Sequence, residues 1–203
     1  MPIPLADLIS PPLYPASAIR AMEQAWHAAH PGDALMEKAG AAAADFAAAL
    51  ADDTGAPVLV LAGPGNNGDA FVTARLLAAR GFRVQVASRA DPARLPPDAA
   101  HAHAAWIAAG GVCLAEMPTG QAFSLAIDGL FGVGLGRDVS GVEARWIEQA
   151  NALPCPRLAL DVPSGLDADT GRVRGVALRA DATLSFIGAK PGLLTADGPD
   201  HAG

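Results

Sequence analysis

The sequence predicts an α/β fold, a three-layer αβα sandwich around a mostly parallel sheet, and three observations carry that expectation. Short apolar, β-rich runs alternate with helical segments along the chain, the order that right-handed crossovers turn into a parallel sheet. Hydrophobic residues make up 51% of the chain but aromatic ones only 5%, so the core has to be built from Ala, Val, Leu and Ile packed closely, as Ala-rich helices on a parallel sheet allow. The length of 203 residues suits one such unit around one core, so residues 1–203 are read as a single domain.

The elements follow in order. Ser17 to Leu50 reads as two helices broken at His30-Pro31-Gly32, with Asp33 as N-cap of the second, Ala-rich one. Val58-Leu59-Val60-Leu61-Ala62 is the first strand, followed at once by a glycine loop and a helix from Ala70 to Arg80 that Gly81 ends. Arg83 to Ala87 is the second strand, Asp91 to Pro97 a proline-rich loop, and Asp98 to Gly110 a helix. Leu125 to Asp128 is a strand that ends in an acid and runs into Gly132-Val133-Gly134-Leu135-Gly136-Arg137; a helix from Val142 to Ala152 comes next. Arg157 to Asp161 is another strand that ends in an acid, turned by Val162-Pro163-Ser164-Gly165, and Ala182 to Ile187 is a further strand with Lys190 just beyond it. Parallel strands end at the same edge. Asn66, Asn67, Asp69, Asp128, Asp161 and Ser164 are therefore expected to gather at one rim, where such sheets bind their ligands.

Composition narrows the function. A net charge of −7 argues against a general affinity for nucleic acid, which draws on clustered Lys and Arg. An anionic ligand would be met locally, by loop amides and helix N-termini. Cys113 and Cys155 fit neither CxxC nor zinc spacing and read as reduced thiols. Met1 to Pro12 lacks the charged start and apolar run of a signal peptide, and no stretch reaches the roughly 18 apolar residues of a membrane helix. A cytoplasmic protein without a membrane partner is expected.

Gly63, Gly65 and Gly68 satisfy G-x-G-x-x-G between a strand and a helix, the context in which glycines let the backbone approach a phosphate. The plain alternative is a tight turn without a ligand; Asn66-Asn67 adds amide donors and acceptors that a turn alone does not require. The place that holds a ribose-binding acid in NAD-dependent dehydrogenases carries Ser88-Arg89, which leaves an NADP-linked oxidoreductase open, although no separate substrate domain follows. A P-loop is excluded, because no Gly-Lys-Ser or Gly-Lys-Thr follows the glycines. Asp128 and Asp161 end apolar runs and need partners to offset desolvation. Each either caps the next turn or, with Ser164 and the Asn67 carbonyl, supplies hard oxygens for K⁺, Na⁺ or Mg²⁺; the spacing does not select the ion. His101-Ala102-His103 reads as a solvated helix face, and Asp167 to Gly171 as a turn, since it lacks the glycine and the closing Glu of a calcium loop.

Four motifs in order, Gly63 to Asp69, Ile127-Asp128-Gly129-Leu130-Phe131-Gly132, Leu160-Asp161-Val162-Pro163-Ser164-Gly165-Leu166-Asp167 and Gly188-Ala189-Lys190-Pro191-Gly192, together with Leu35-Met36-Glu37-Lys38-Ala39-Gly40, resemble the NAD(P)H-hydrate epimerase family, the YjeF N-terminal domain. The resemblance spans nearly the whole chain. It implies a Rossmann-like fold and interconversion of the R and S epimers of hydrated NADH or NADPH, the substrates NADHX and NADPHX. It places ligand contacts on Asn66, Asn67, Gly68 and Asp69, on Gly132, Val133, Gly134, Leu135, Gly136, Arg137 and Asp138, and on Asp161, and it places K⁺ on Asn67, Asp128 and Ser164. The usual loop reads Asn-Asn-Gly-Gly-Asp, whereas one glycine separates Asn67 from Asp69 here, a shortening that would shift the next helix relative to the phosphates.

For that chemistry Asp161 is the expected acid/base, with Asp128 committed to the cation and Lys190 polarising or orienting the ligand. A non-catalytic YjeF-type scaffold module is the other reading, against which the retained Asn67, Asp128, Asp161 and Ser164 argue. The resemblance further implies a homodimer and a hydrate dehydratase partner, fused or separate. The chain is expected to stop shortly before a closing strand, as a fragment of a longer enzyme would.

Overall fold

The computed structural model describes residues 12–32, 34–51, 55–65 and 68–203. Asp33, Asn66, Asn67 and nearly all of the Met1 to Pro12 segment, each singled out above, lie outside the described residues. Among the described residues, five α-helices and six strands follow in the order α1 (Ala16–Ala29), α2 (Leu35–Leu50), β1 (Val58–Ala62), α3 (Asp69–Ala79), β2 (Val84–Ser88), α4 (Pro97–Ala108), β3 (Cys113–Leu114), β4 (Leu125–Gly129), α5 (Gly141–Asn151), β5 (Arg157–Leu160) and β6 (Ala182–Leu184). The six strands form one sheet in the order β3-β2-β1-β4-β5-β6, and every pairing between them is parallel.

Side-chain alternation along the strands divides the core into two layers. Val58, Val60 and Ala62 of β1 pack with Ala43, Ala44 and Ala47 of α2 and with Phe71 of α3. Leu59 and Leu61 face the other way, onto Trp146 and Ile147 of α5. Because β1 is central it is buried at all five positions, which is why it reads as a continuous apolar run. The chain leaves α3 as expected: Gly81 takes φ +92°, its N–H donates to Ala78 O at 3.0 Å and Phe82 N–H donates to Leu77 O at 3.1 Å, the paired bonds of a Schellman ending.

Beyond shifts of one or two residues at other helix and strand ends, three features of the sheet differ from the sequence reading. The two-residue edge strand β3 is too short to leave a period. Strand β5 ends at Leu160 because Asp161 turns into the left-handed region, φ +67°. Strand β6 stops at Leu184, and residues 185–190 fold around the Lys190 side chain instead. Of the two histidines on α4, His101 is exposed while His103 packs edge-on against Phe71, with ring centroids 5.0 Å apart. Both cysteines are free thiols, and no described helix is long and apolar enough to cross a membrane.

The segment after β5 has its own small core of Val162, Leu166, Ala168 and Leu193. Asp167 organises it: Oδ1 accepts from the Thr170 amide at 2.9 Å and hydroxyl at 2.8 Å, and Oδ2 from Arg174 Nε at 3.0 Å. Burial pushes this carboxyl up, but Arg174 and Thr170 outweigh it and hold it at about 2. A carboxyl depressed in the folded state stabilises the fold above its unfolded value, about pH 4, and that contribution is lost as pH falls through its folded value. Urea midpoints measured from pH 4 down to pH 2 are therefore expected to fall more steeply for the parent chain than for Asp167→Asn. Equal slopes would remove Asp167 from the acid limb.

Candidate active site

The strand order reverses between β1 and β4: after β1 the chain lays down β2 and β3 on one side, then returns to add β4, β5 and β6 on the other. Beyond the carboxyl ends of the strands at such a divide lies the usual crevice. Here it is a cavity of about 1290 Å³, walled by the loops after β1 and β4, the ends of β5 and β6, and α1.

The β1 loop is held by packing. Gly63 N–H donates to Gly129 O at 3.0 Å, and a Cβ on Gly63 would stand 1.8 Å from Leu130 O. This glycine lets two loops of the rim touch each other. Gly68 lies buried under Met36 and Ala99, where a Cβ would be 2.3 Å from Met36 Sδ, so it seats α3 against its neighbours. Asp69 opens α3, lines the cavity and accepts from Ala70 N–H at 3.0 Å. Burial, then the charge of Asp161, raise its carboxyl to about 7.

Beneath the β4 loop, Asp128 is 2% exposed. Its Oδ1 accepts from Leu130 N–H at 3.2 Å and from Ser164 Oγ at 2.6 Å, and its Oδ2 from Ser164 N–H at 2.8 Å. Burial raises this carboxyl to about 6 against those hydrogen bonds. Ser164 Oγ accepts in turn from Phe131 N–H at 2.9 Å, and Phe131 O lies 3.3 Å from it. Hard oxygens thus converge on a buried carboxylate that has no ion-pair partner among the described residues.

Asp161 lines the cavity, and its two oxygens have different surroundings. Oδ1 accepts from Phe186 N–H at 3.3 Å and from the Lys190 ammonium. Oδ2 points toward Gly132, 3.4 Å from where a Cβ on that residue would sit. Lys190 is fully buried and lies behind the wall; its ammonium also donates to Ser185 Oγ at 3.0 Å and Phe186 O at 2.7 Å, so all three of its protons have acceptors. The group that the sequence reading placed on the ligand is instead turned onto Asp161.

Of the second glycine loop, Gly132, Val133, Gly134, Leu135, Gly136 and Arg137 line the cavity, while Asp138 is exposed beyond it, beside Gly175. Arg89 is ion-paired with Glu116 at 3.0 Å and stands outside the cavity, which takes away the feature that favoured an NADP-linked oxidoreductase. Sequence reading missed α1 as a wall. Its N-terminal Ala16 N–H donates to Asp169 Oδ1 at 2.6 Å, Tyr14 N–H to Ala189 O at 2.8 Å, and Arg20 Nη2 to Val133 O at 3.1 Å. So docked, it presents Ile19, Arg20 and Glu23 to the cavity.

The sequence model of the family described as YjeF-related protein N-terminus matches residues 32–192. The chain belongs to that family. Among its YjeF-related relatives, the NAD(P)H-hydrate epimerase of Bordetella pertussis is 53% identical over 185 residues, which cover 89% of this chain and 79% of that protein. The bifunctional NAD(P)H-hydrate repair enzyme Nnr of Escherichia coli K12 is 41% identical over 147 residues, 71% of this chain and 28% of that protein. The crystal structure of yeast ynu0, YNL200c, superposes with a TM-score of 0.75 at 20% identity, covering 92% of this chain and 85% of the yeast chain, and so shares its fold. Helix α1, Ala16–Ala29, precedes the stretch that the YjeF-related family model matches.

Proposed function

We propose that this chain interconverts the R and S epimers of hydrated NADH and NADPH, the activity for which its Bordetella relatives are named. The observation that carries the reading is the half-anchored Asp161: one oxygen is fixed by Lys190 and the Phe186 amide, the other faces a cavity large enough for a dinucleotide, where small-molecule sites run to roughly 300–1,000 Å³. Asn66, Asn67, Gly68 and Asp69, with the N-terminus of α3, take the phosphates on one side, and the loop from Gly132 to Arg137 closes on the other. In the hydrate the hydroxyl sits on C6 beside the ring nitrogen, whose lone pair helps expel it and leaves an iminium-like ring. Asp161 exchanges a proton with the hydroxyl that leaves, or with the water that returns, on the face of the ring it reaches. Lys190 touches no ligand in this scheme and acts by orienting Asp161.

The donor set around Asp128 suits a cation. Asp128, Ser164 and Asn67 would hold K⁺, because carboxylate, hydroxyl and carbonyl oxygens suit a hard ion, and a single buried carboxylate matches a single positive charge. Bound there, it supplies a fixed positive charge that neutralises Asp128 and steadies the loops after β4 and β5.

The experiment is an epimerisation assay on chirally resolved hydrate with KCl or with tetramethylammonium chloride. Turnover is expected in K⁺ and a marked loss of it in the bulky cation. Equal rates in both salts would remove K⁺ from the reading, and no turnover in either would remove the epimerase.

A further inference from the structure

Epimerisation through a planar ring poses a problem that Asp161 alone does not solve, because the hydroxyl leaves one face and water must return to the other. A carboxylate fixed on the sheet rim reaches one face. The cavity has a second wall, α1, and Glu23 on it lines the same cavity as Asp161. Glu23 is half-buried and makes no hydrogen bond among the described residues, and Ile19, one turn earlier and 2% exposed, anchors the helix beneath it. Of the two further carboxyls on the cavity, Asp69 is engaged by the first turn of α3 and Asp98 is exposed in the first turn of α4.

Resting on the epimerase reading, we propose that Glu23 is a second acid/base of the reaction, serving the face of the ring that Asp161 does not reach. In one direction a protonated carboxyl on one wall gives its proton to the C6 hydroxyl as the C–O bond breaks; water departs and the nitrogen lone pair forms the C=N bond. Water then adds to C6 from the opposite face, the C=N pair returns to nitrogen, and the carboxylate on the other wall takes the proton. The two carboxyls end with their protonation states exchanged, and the reverse passage or exchange with solvent resets them. The environment of Glu23 suits a group that has to hold a proton: burial and the neighbouring Asp161 charge raise its carboxyl, outweighing Lys190, His27 and Arg20.

The test follows label rather than rate alone. Resolved hydrate is incubated in water enriched in heavy oxygen with the parent chain, Glu23→Gln and Asp161→Asn, after subtraction of the uncatalysed reaction. Glu23→Gln is expected to epimerise about a hundredfold or more slowly yet to keep exchanging label into one epimer, while Asp161→Asn exchanges label into the other epimer alone. Glu23→Asp, which keeps a carboxyl on the same wall but one methylene shorter, is expected to recover part of the crossing rate, and it carries the same test should the Gln variant fail to fold. An active parent with Glu23→Gln within about threefold of it, or with both variants retaining exchange into the same epimer, overturns the second acid/base. An inert parent overturns the epimerase reading and this one with it.

Discussion

Asp161→Asn is expected to lose epimerisation and stability together, and the two losses can be separated. Activity should fall by about 10²- to 10⁴-fold, the usual contribution of a placed acid/base. The substitution adds little backbone strain, because Asn, like Asp, tolerates the left-handed conformation found at this position. Stability falls for another reason. Lys190 is fully buried, and without Asp161 its ammonium keeps only the Ser185 hydroxyl and the Phe186 carbonyl beside a neutral amide. Leaving one charge of a buried pair uncompensated costs on the order of 3 kcal/mol. Removing both charges, in Asp161→Asn with Lys190→Met, should restore much of the melting temperature, since apolar replacement of a buried pair is often neutral. Turnover should not return with it. A double variant that recovers both would reduce Asp161 to a structural role.

Gly63→Ala is the second large effect, expected to cost about 3 kcal/mol in urea unfolding and to disable the site as well. The added methyl would meet Leu130 O at 1.8 Å, Leu130 C at 2.6 Å and Leu130 Cα at 2.8 Å, all backbone atoms that no rotamer change can move aside. Relief requires the β1 and β4 loops to part, and these are the loops between which a dinucleotide would lie. Gly134→Ala is the control: a Cβ there meets nothing within 4 Å, so the melting curve should be unchanged. Were Gly63→Ala equally silent, the contact between the two loops would not be holding the rim.

These two glycines show what the sequence discloses and what it withholds. Both sit in glycine-rich loops after strands, and only the fold separates the one that fits against Leu130 from the one that faces open space. Five of the six strands, the crossovers and the gathering of Asp69, Asp128, Asp161 and Ser164 at one edge were legible, because periodicity and strand ends fix them. Arg89 was misleading, since its partner Glu116 lies 27 positions away and no local pattern announces the pair. Lys190 was visible as a residue just past a strand but not as a buried one, as its burial depends on the turn from Ser185 to Ala189 closing around it. Glu23 left no signal: on an amphipathic helix it reads as one more solvated acid, and only the docking of α1 through Tyr14, Ala16 and Arg20 turns it inward.

The grip of residues 185–190 on Asp161 also sets an order of events during synthesis. A chain emerging from its N-terminus can pair β1, β2, β3, β4 and β5, and can form both glycine loops, before that turn has been made. Until Lys190 arrives, Asp161 has neither its counter-ion nor the Phe186 amide, so the nascent domain would hold substrate-shaped loops around an unaimed carboxylate. Competence is therefore conferred late and all at once, by a short segment whose decisive Lys190 lies behind the cavity wall.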